Sequence, residues 1–162
     1  MAAEHGPPAP DLEVTIEIPR GSFLKRGSTG QLDFLSPFPC PLNYGSVDSL
    51  VGLEGDLLDA VVLGRRLPRG TRIRVTPYAA VGLTDRGMYD DKMICSQAPL
   101  TSWQKTLVLG FFGFYARCKW LLNLVRGRPG RNACEGWCSP DAALARAIPR
   151  EGMTWAGPRV PF

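Results

Sequence analysis

Three carboxylates, Glu54, Asp56 and Asp59, fall within six residues at the head of the run LEGDLLDAVVL, residues 53–63. The apolar residues that follow include the β-branched pair Val61 and Val62 and stop at Gly64, so they read as a buried strand. The acids therefore stand at the mouth of that strand. Two like charges about 4 Å apart cost roughly 1 kcal/mol in water and roughly 4 kcal/mol near a protein surface. A hard divalent cation removes that cost, and oxygen ligands suit Mg²⁺. The bland alternative is a solvated turn whose acids bind nothing. A second acidic cluster, Asp85, Asp90 and Asp91, surrounds Gly87 and ends at Lys92. Lysines and tyrosines lie in other segments, among them Lys25, Tyr44 and Tyr115. That combination suits a site for several divalent cations and a polyanion: cations polarise phosphoryl oxygens and activate water, lysines meet phosphate as point charges, and phenols orient it.

Each cluster flanks a predicted strand, so the fold has to bring strand ends together. Residues 12–19 alternate Leu12, Val14, Ile16 and Ile18 against Glu13, Thr15 and Glu17, which predicts a strand. Residues 20–30 read as a Gly/Ser-rich basic loop holding Lys25 and Arg26, and 31–35 as a second short strand. Pro37, Pro39 and Pro41 make the next segment stiff and extended, delivering Asn43, Tyr44 and Gly45. Residues 71–81 read as a long strand bent at Pro77, and 93–95 as another short one. The long helix spans 103–125, with Trp103, Leu107, Gly110, Phe111, Phe114, Cys118, Leu121, Leu122 and Val125 at helical spacing. Gly110 and Gly113 weaken it and permit close packing. Tyr115 and Lys119, four apart, share the edge of that stripe: plain helix surface, or a phenol and a cation aimed at one ligand. A basic Gly/Pro loop follows, closed by Glu135, Gly136 and Trp137. A short helix then covers 141–147, capped by Ser139 with Pro140 in its first turn. Strands first and helices last argue for α+β, with the strands closed into a small barrel.

The 162 residues suffice for one domain with a real core, expected at 12–148 between a disordered tail at 1–11 and a Pro/Gly-rich tail at 149–162. A net charge of +4 does not force a nucleic-acid reading. Five cysteines, an odd number, with no secretory signal favour reduced thiols in a cytoplasmic protein. The single histidine, His5, disfavours structural zinc and Ser-His-Asp or Cys-His mechanisms. The longest apolar stretch, 106–116, is too short to span a bilayer.

Taken in order, Ile16-Glu17-Ile18-Pro19, Lys25, Asn43-Tyr44-Gly45, Gly55-Asp56-Leu57-Leu58-Asp59, Asp85 with Asp90 and Lys92, Phe111-Phe112 with Tyr115, and Glu135-Gly136-Trp137 resemble the soluble family I inorganic pyrophosphatases. No one motif is decisive, but their order and spacing cover nearly the whole chain. The resemblance implies an OB-like, five-stranded closed β-barrel flanked by one long and one short helix. It implies Mg²⁺-dependent hydrolysis of pyrophosphate to two phosphates, with several ions per site. Glu54, Asp59, Asp85 and Asp90 would then be metal ligands. Asp56 would accept a proton from the attacking water. Lys25, Tyr44, Lys92 and Tyr115 would hold phosphate, and Glu17 would support the site from the barrel interior. An oligomer of this chain is implied too, commonly a hexamer in bacteria, and neither nucleic acid nor a membrane is an expected partner.

The chain also departs from the family pattern. Glu54 replaces an aspartate and Leu57 a proline, which relaxes the acidic turn. Gly27 stands where an acid follows the loop lysine, Phe34 where an arginine is usual, and Ala116 where a lysine follows the helix tyrosine. Arg26, Arg117, Lys119 or Arg126 are the cations available to compensate. Two other readings stay open: a degenerate relative that binds metal or phosphate with little turnover, and a non-enzymatic OB-like binding module.

Overall fold

The computed structural model of the chain describes residues 9–26, 32–35, 39–53, 55–128 and 130–150, the strands at 24–26 and 32–35 by their backbone alone. Glu54, Gly27, most of the expected N-terminal tail and the C-terminal tail beyond 150 lie outside these residues, as do the side chains of Lys25, Arg26 and Phe34. In chain order the elements are β1 (Leu12–Ile18), β2 (Leu24–Arg26), β3 (Leu32–Leu35), β4 (Asn43–Val51), β5 (Leu57–Val62), β6 (Arg72–Asp85) and β7 (Met88–Ser96). They continue as α1 (Ser102–Val125), β8 (Ala133–Cys138), α2 (Pro140–Arg146) and β9 (Ile148–Pro149). The fold is α+β: a sheet of several strands carrying two helices.

Among the described residues, the sheet runs β1-β4-β5-β7-β6-β8, and β1 pairs with β6 as well, so the hydrogen-bonded path returns to its first strand. All its pairings are antiparallel except β5 with β7. Period-two alternation sends neighbouring residues to different cores. Leu58, Ala60, Val62, Met93 and Cys95 join Val14, Ile16 and Val47 in one cluster, which Ala143 of α2 closes. Val61, Ile94, Val81 and Leu83 face the other way, onto Val108 and Phe112 of α1.

Four elements differ from the sequence reading. Residues 24–26, read as loop, pair with β3. Residues 43–51 form β4, although Gly45, Ser46, Asp48 and Ser49 give this run little strand propensity; pairing on both sides makes it a strand. The strand read at 93–95 begins at Met88, and the acidic segment around Gly87 is a tight hairpin, since Arg86 (φ 51°) and Gly87 (φ 81°) supply the two positive-φ positions such a turn needs. Ala133–Cys138, read as loop, extends the sheet beside β6. The long strand does lose register between Pro77 and Ala79. Ser139 caps α2 by accepting from the Ala142 amide.

The apolar stripe of α1 splits between two faces. Val108, Phe112, Ala116 and Asn123 are buried against the sheet, while Trp103, Phe114, Leu121 and Val125 face outward. Both sets satisfy helical spacing, so periodicity alone does not choose between them. No helix of the described residues is long and apolar enough to cross a membrane.

Candidate active site

The ladder that buries Val61 and Ile94 under α1 carries polar residues on the same face one step further along. Asp59 lies two residues before Val61, and Lys92 two before Ile94, with Asp90 two before that. Asp59 is in register with Lys92 across the parallel β5–β7 pair, Leu83 with Asp90, and Ser46 with Asp59. Tyr44, two residues from Ser46, shares their face.

Lys92 is the centre of the cluster. Its side chain is 4% exposed, and its ammonium contacts the carboxylates of both Asp59 and Asp90. Tyr44 donates its hydroxyl to the same Asp59 oxygen at 2.8 Å, and Lys92 lies 5.8 Å from the Tyr44 ring centre. Burial, then the charge of Asp59, pushes the Tyr44 phenol well above its ordinary range, so it stays a donor. Asp56 ends the preceding turn, its Oδ1 accepting from the Leu57 amide at 2.8 Å. Burial raises its carboxyl above the ordinary range; that hydrogen bond opposes the rise, and Asp59 adds to it. Glu17 accepts from the Ser46 hydroxyl at 2.8 Å, which ties β1 to the strand beneath the site. Tyr115 packs at the edge of the apolar cluster beside Phe111 and Phe112.

Asp85 lies on the same sheet face but is held differently. Lys119 of α1 approaches one oxygen at 3.2 Å, and the Asn132 and Asn123 amides donate to the other at 2.9 and 3.3 Å. Burial pushes the Asp85 carboxyl up, but Lys119, the Asn132 hydrogen bond and Arg86 outweigh it, and it sits below its ordinary value. The structure thus gathers Tyr44, Asp56, Asp59, Asp90 and Lys92 in one electrostatic cluster, with Asp85 in a neighbouring one.

Asn43 has a part that its residue type alone did not reveal. It is fully buried, donates to the Val62 and Arg65 carbonyls and accepts from the Arg20 and Leu67 amides. Those bonds hold the strand that presents Tyr44. The available signal was an amide side chain directly before a Tyr-Gly pair at the end of a proline-stiffened segment.

The model matching residues 14–107 is the one described as inorganic pyrophosphatase. The inorganic pyrophosphatase of Leifsonia xyli subsp. xyli is 32% identical over 154 residues, 87% of this chain and 93% of that protein. The chain belongs to the inorganic pyrophosphatase family. The Streptomyces coelicolor enzyme of the same name is 34% identical over 93 residues, 52% of this chain; like other curated relatives it is matched over little more than half its length, here 57%. The inorganic pyrophosphatase structure from Thermus thermophilus aligns with a TM-score of 0.69 at 26% identity, covering 87% of this chain and 90% of that one.

Two departures from the pyrophosphatase pattern acquire a physical setting here. Leu57, at the proline position, is buried and pairs with Val51 as the first residue of β5. Ala116 is buried against the sheet, where a lysine would lose its hydration. Lys119, three residues on, brings its ammonium to Asp85 instead, whereas Arg117 is exposed.

The donor chemistry fits a divalent metal. Asp56, Asp59 and Asp90 are hard oxygen donors, more carboxylates than Lys92 alone neutralises, and that ammonium already occupies a cation's place between two of them. Among the described residues, no three acid, thiol or imidazole side chains are gathered into a ready coordination cluster.

Proposed function

We propose that this pyrophosphatase family member hydrolyses inorganic pyrophosphate to two phosphates with Mg²⁺ as its cofactor, several ions to a site. The observation that carries the proposal is the convergence of Tyr44, Asp59, Asp90 and Lys92 on one buried, register-locked face, with Asp56 at its rim. Asp59 and Asp90 would hold the metal, with Glu54 and, once Lys119 gives it up, Asp85 as further ligands. Bound Mg²⁺ offsets phosphate charge and makes water more acidic. Lys92 and Tyr44 would meet phosphate oxygens, with Lys25 and Tyr115 as further phosphate-binding residues. The attacking water forms a new P–O bond and gives its proton to Asp56. The bridging P–O bond breaks, and its electron pair leaves on the second phosphate. A carboxylate suits the role of base because a metal-bound water gives up its proton more readily.

The five-strand circuit β1-β4-β5-β7-β6 is read as the closed OB-like barrel of this proposal, with residues 12–148 as one domain. A cytoplasmic setting, a homo-oligomer and no nucleic-acid partner complete it. The five cysteines are all free, which suits a reducing compartment. Phosphate release from pyrophosphate, measured with Mg²⁺ and after chelation, tests the reading. Turnover that chelation abolishes is expected; no release with Mg²⁺ present would contradict it.

One observation favours a second reading. Asp85 is already neutralised by Lys119 and two asparagine amides, so a metal has to compete for it. A degenerate relative would bind Mg²⁺ and phosphate with little turnover. Calorimetric binding of both without phosphate release would favour that reading.

A further inference from the structure

The turn between β5 and β6 gathers positive charge that nothing around it offsets. Arg65, Arg66 and Arg69 are exposed on it. Arg20, exposed just past the end of β1, joins them by donating from Nη1 to the Gly64 carbonyl at 3.0 Å. Among the described residues, none of the four has an acid within ion-pair distance. The arginines further along β6 differ: Arg72 lies 3.9 Å from Glu13 and 3.7 Å from Asp48, and Arg74 lies 3.9 Å from Asp11. The formal charge of the whole chain is +4, so these four guanidiniums equal its entire excess.

The backbone beneath the patch is fixed. The buried Asn43 amide accepts from the Arg20 and Leu67 amides at 3.0 and 2.9 Å and donates to the Arg65 carbonyl at 2.8 Å. One side chain thus sets the spacing of both segments that carry the arginines. Leu67 is buried in the core, the Thr71 amide closes a turn on the Pro68 carbonyl, and the Gly70 amide donates to the Ile16 carbonyl. Like charges held on such a frame repel each other, and a polyanion removes that cost. The six residues of β5 separate the turn from the acidic rim, roughly 20 Å of strand. That is about two Debye lengths at 0.1 M salt, so an anion on the turn binds independently of the candidate site.

We propose that this turn is a docking surface for a linear phosphate polyanion, inorganic polyphosphate. The inference does not depend on the hydrolase reading. Guanidinium forks match phosphate oxygens two at a time, and a rigid turn presents them already oriented. Charge density selects among anions. Arg65 and Arg69 are joined by at most about 14 Å of chain, with Arg66 between them. An extended acidic peptide turns one carboxylate to a surface about every 7 Å and meets only part of that charge, whereas a phosphate chain is charged at every unit. Single-stranded nucleic acid binds where bases can stack on aromatic rings, and residues 64–71 include none. A membrane surface needs an apolar side chain to insert, and both Leu63 and Leu67 are buried.

Anisotropy of end-labelled inorganic polyphosphate, titrated with the full chain after metals are chelated, tests the proposal with the candidate metal site silenced. Saturable binding that weakens steeply between roughly 50 and 200 mM salt is expected. The double variant Arg66→Ser, Arg69→Ser should weaken it roughly tenfold or more, as the loss of two charge-assisted contacts implies. Either single change serves if the double variant lacks a native melting transition. Arg72→Ser with Arg74→Ser removes the same net charge from arginines that already face acids, and should leave the affinity within about twofold. No binding without metal overturns the proposal, as does binding that ignores the Arg66 and Arg69 changes. Equal losses in the two double variants also overturn it, since net charge alone would then explain the binding. Tighter capture of polyglutamate or of an oligonucleotide than of polyphosphate would overturn it too, assigning the turn to an acidic protein or to nucleic acid.

Discussion

Burial and the neighbouring Asp59 hold the Asp56 carboxyl above its ordinary range, while Lys119 and Asn132 override burial and hold that of Asp85 below it. Opposite consequences for stability follow. A raised folded-state pKa means that the charged form is disfavoured in the fold, so at neutral pH the Asp56 charge destabilises it. Asp56→Asn keeps an acceptor for the Leu57 amide and loses the charge; it should raise the melting temperature in metal-free buffer at neutral pH, and a fall would contradict this account of Asp56. A depressed pKa means that the Asp85 contribution is present above the ordinary carboxylate value of about 4 and lost as pH falls through the folded value. Acid should therefore lower the melting temperature of the wild type more steeply than that of Asp85→Asn; parallel curves would show Asp85 unpaired in solution. The residue types of the site were legible in the sequence, because carboxylates, lysines and phenols at fixed spacing limit the chemistry. Their pairing was not. That Lys92 lies between Asp59 and Asp90, and that Asp85 turns to Lys119, depends on registers and helix placement set by contacts distant in sequence.

At the scale of elements, strongly periodic segments declared themselves. Leu12–Ile18 alternates, and α1 follows helical spacing with Thr101 and Gln104 capping it reciprocally. β4 did not, because its strand character comes from its neighbours. Gly45 explains one part of that. A Cβ there would lie 2.0 Å from the Thr15 carbonyl oxygen, so the close pairing of β4 with β1 requires a residue without one. Backbone cannot swing aside as a side chain would. Gly45→Ala should therefore cost about 2–4 kcal/mol in denaturant unfolding. It should also weaken the site, since the neighbouring Tyr44 would move with the strand. Unchanged stability would mean that β1 and β4 are not so closely apposed.

For the whole molecule, the second helix is fastened to the sheet, among the described residues, by a charged contact between Arg146 and Asp91. Arg146 donates from Nε and Nη2 to the two oxygens of Asp91 at 2.9 and 2.8 Å, and lies 5.1 Å from the Tyr89 ring centre. The Asp91 side chain is only 4% exposed. Arg146→Leu strands that carboxylate, and with Arg146 itself partly solvated the loss should be about 2–3 kcal/mol of unfolding free energy. A loss below measurement error would mean that α2 docks through Ala143 and its apolar neighbours alone. The fastened residue, Asp91, lies between Asp90 and Lys92 on β7, so the candidate site and the docking of α2 share one hairpin. The most direct measurement at this scale compares the wild type with Asp56→Asn for phosphate release from pyrophosphate at saturating Mg²⁺, both checked for a native melting transition. The expected result is turnover in the wild type that falls by roughly a hundredfold or more in the variant, the range for removing a general base. Equal turnover in the two proteins would contradict the assignment of Asp56 and the chemistry built around it.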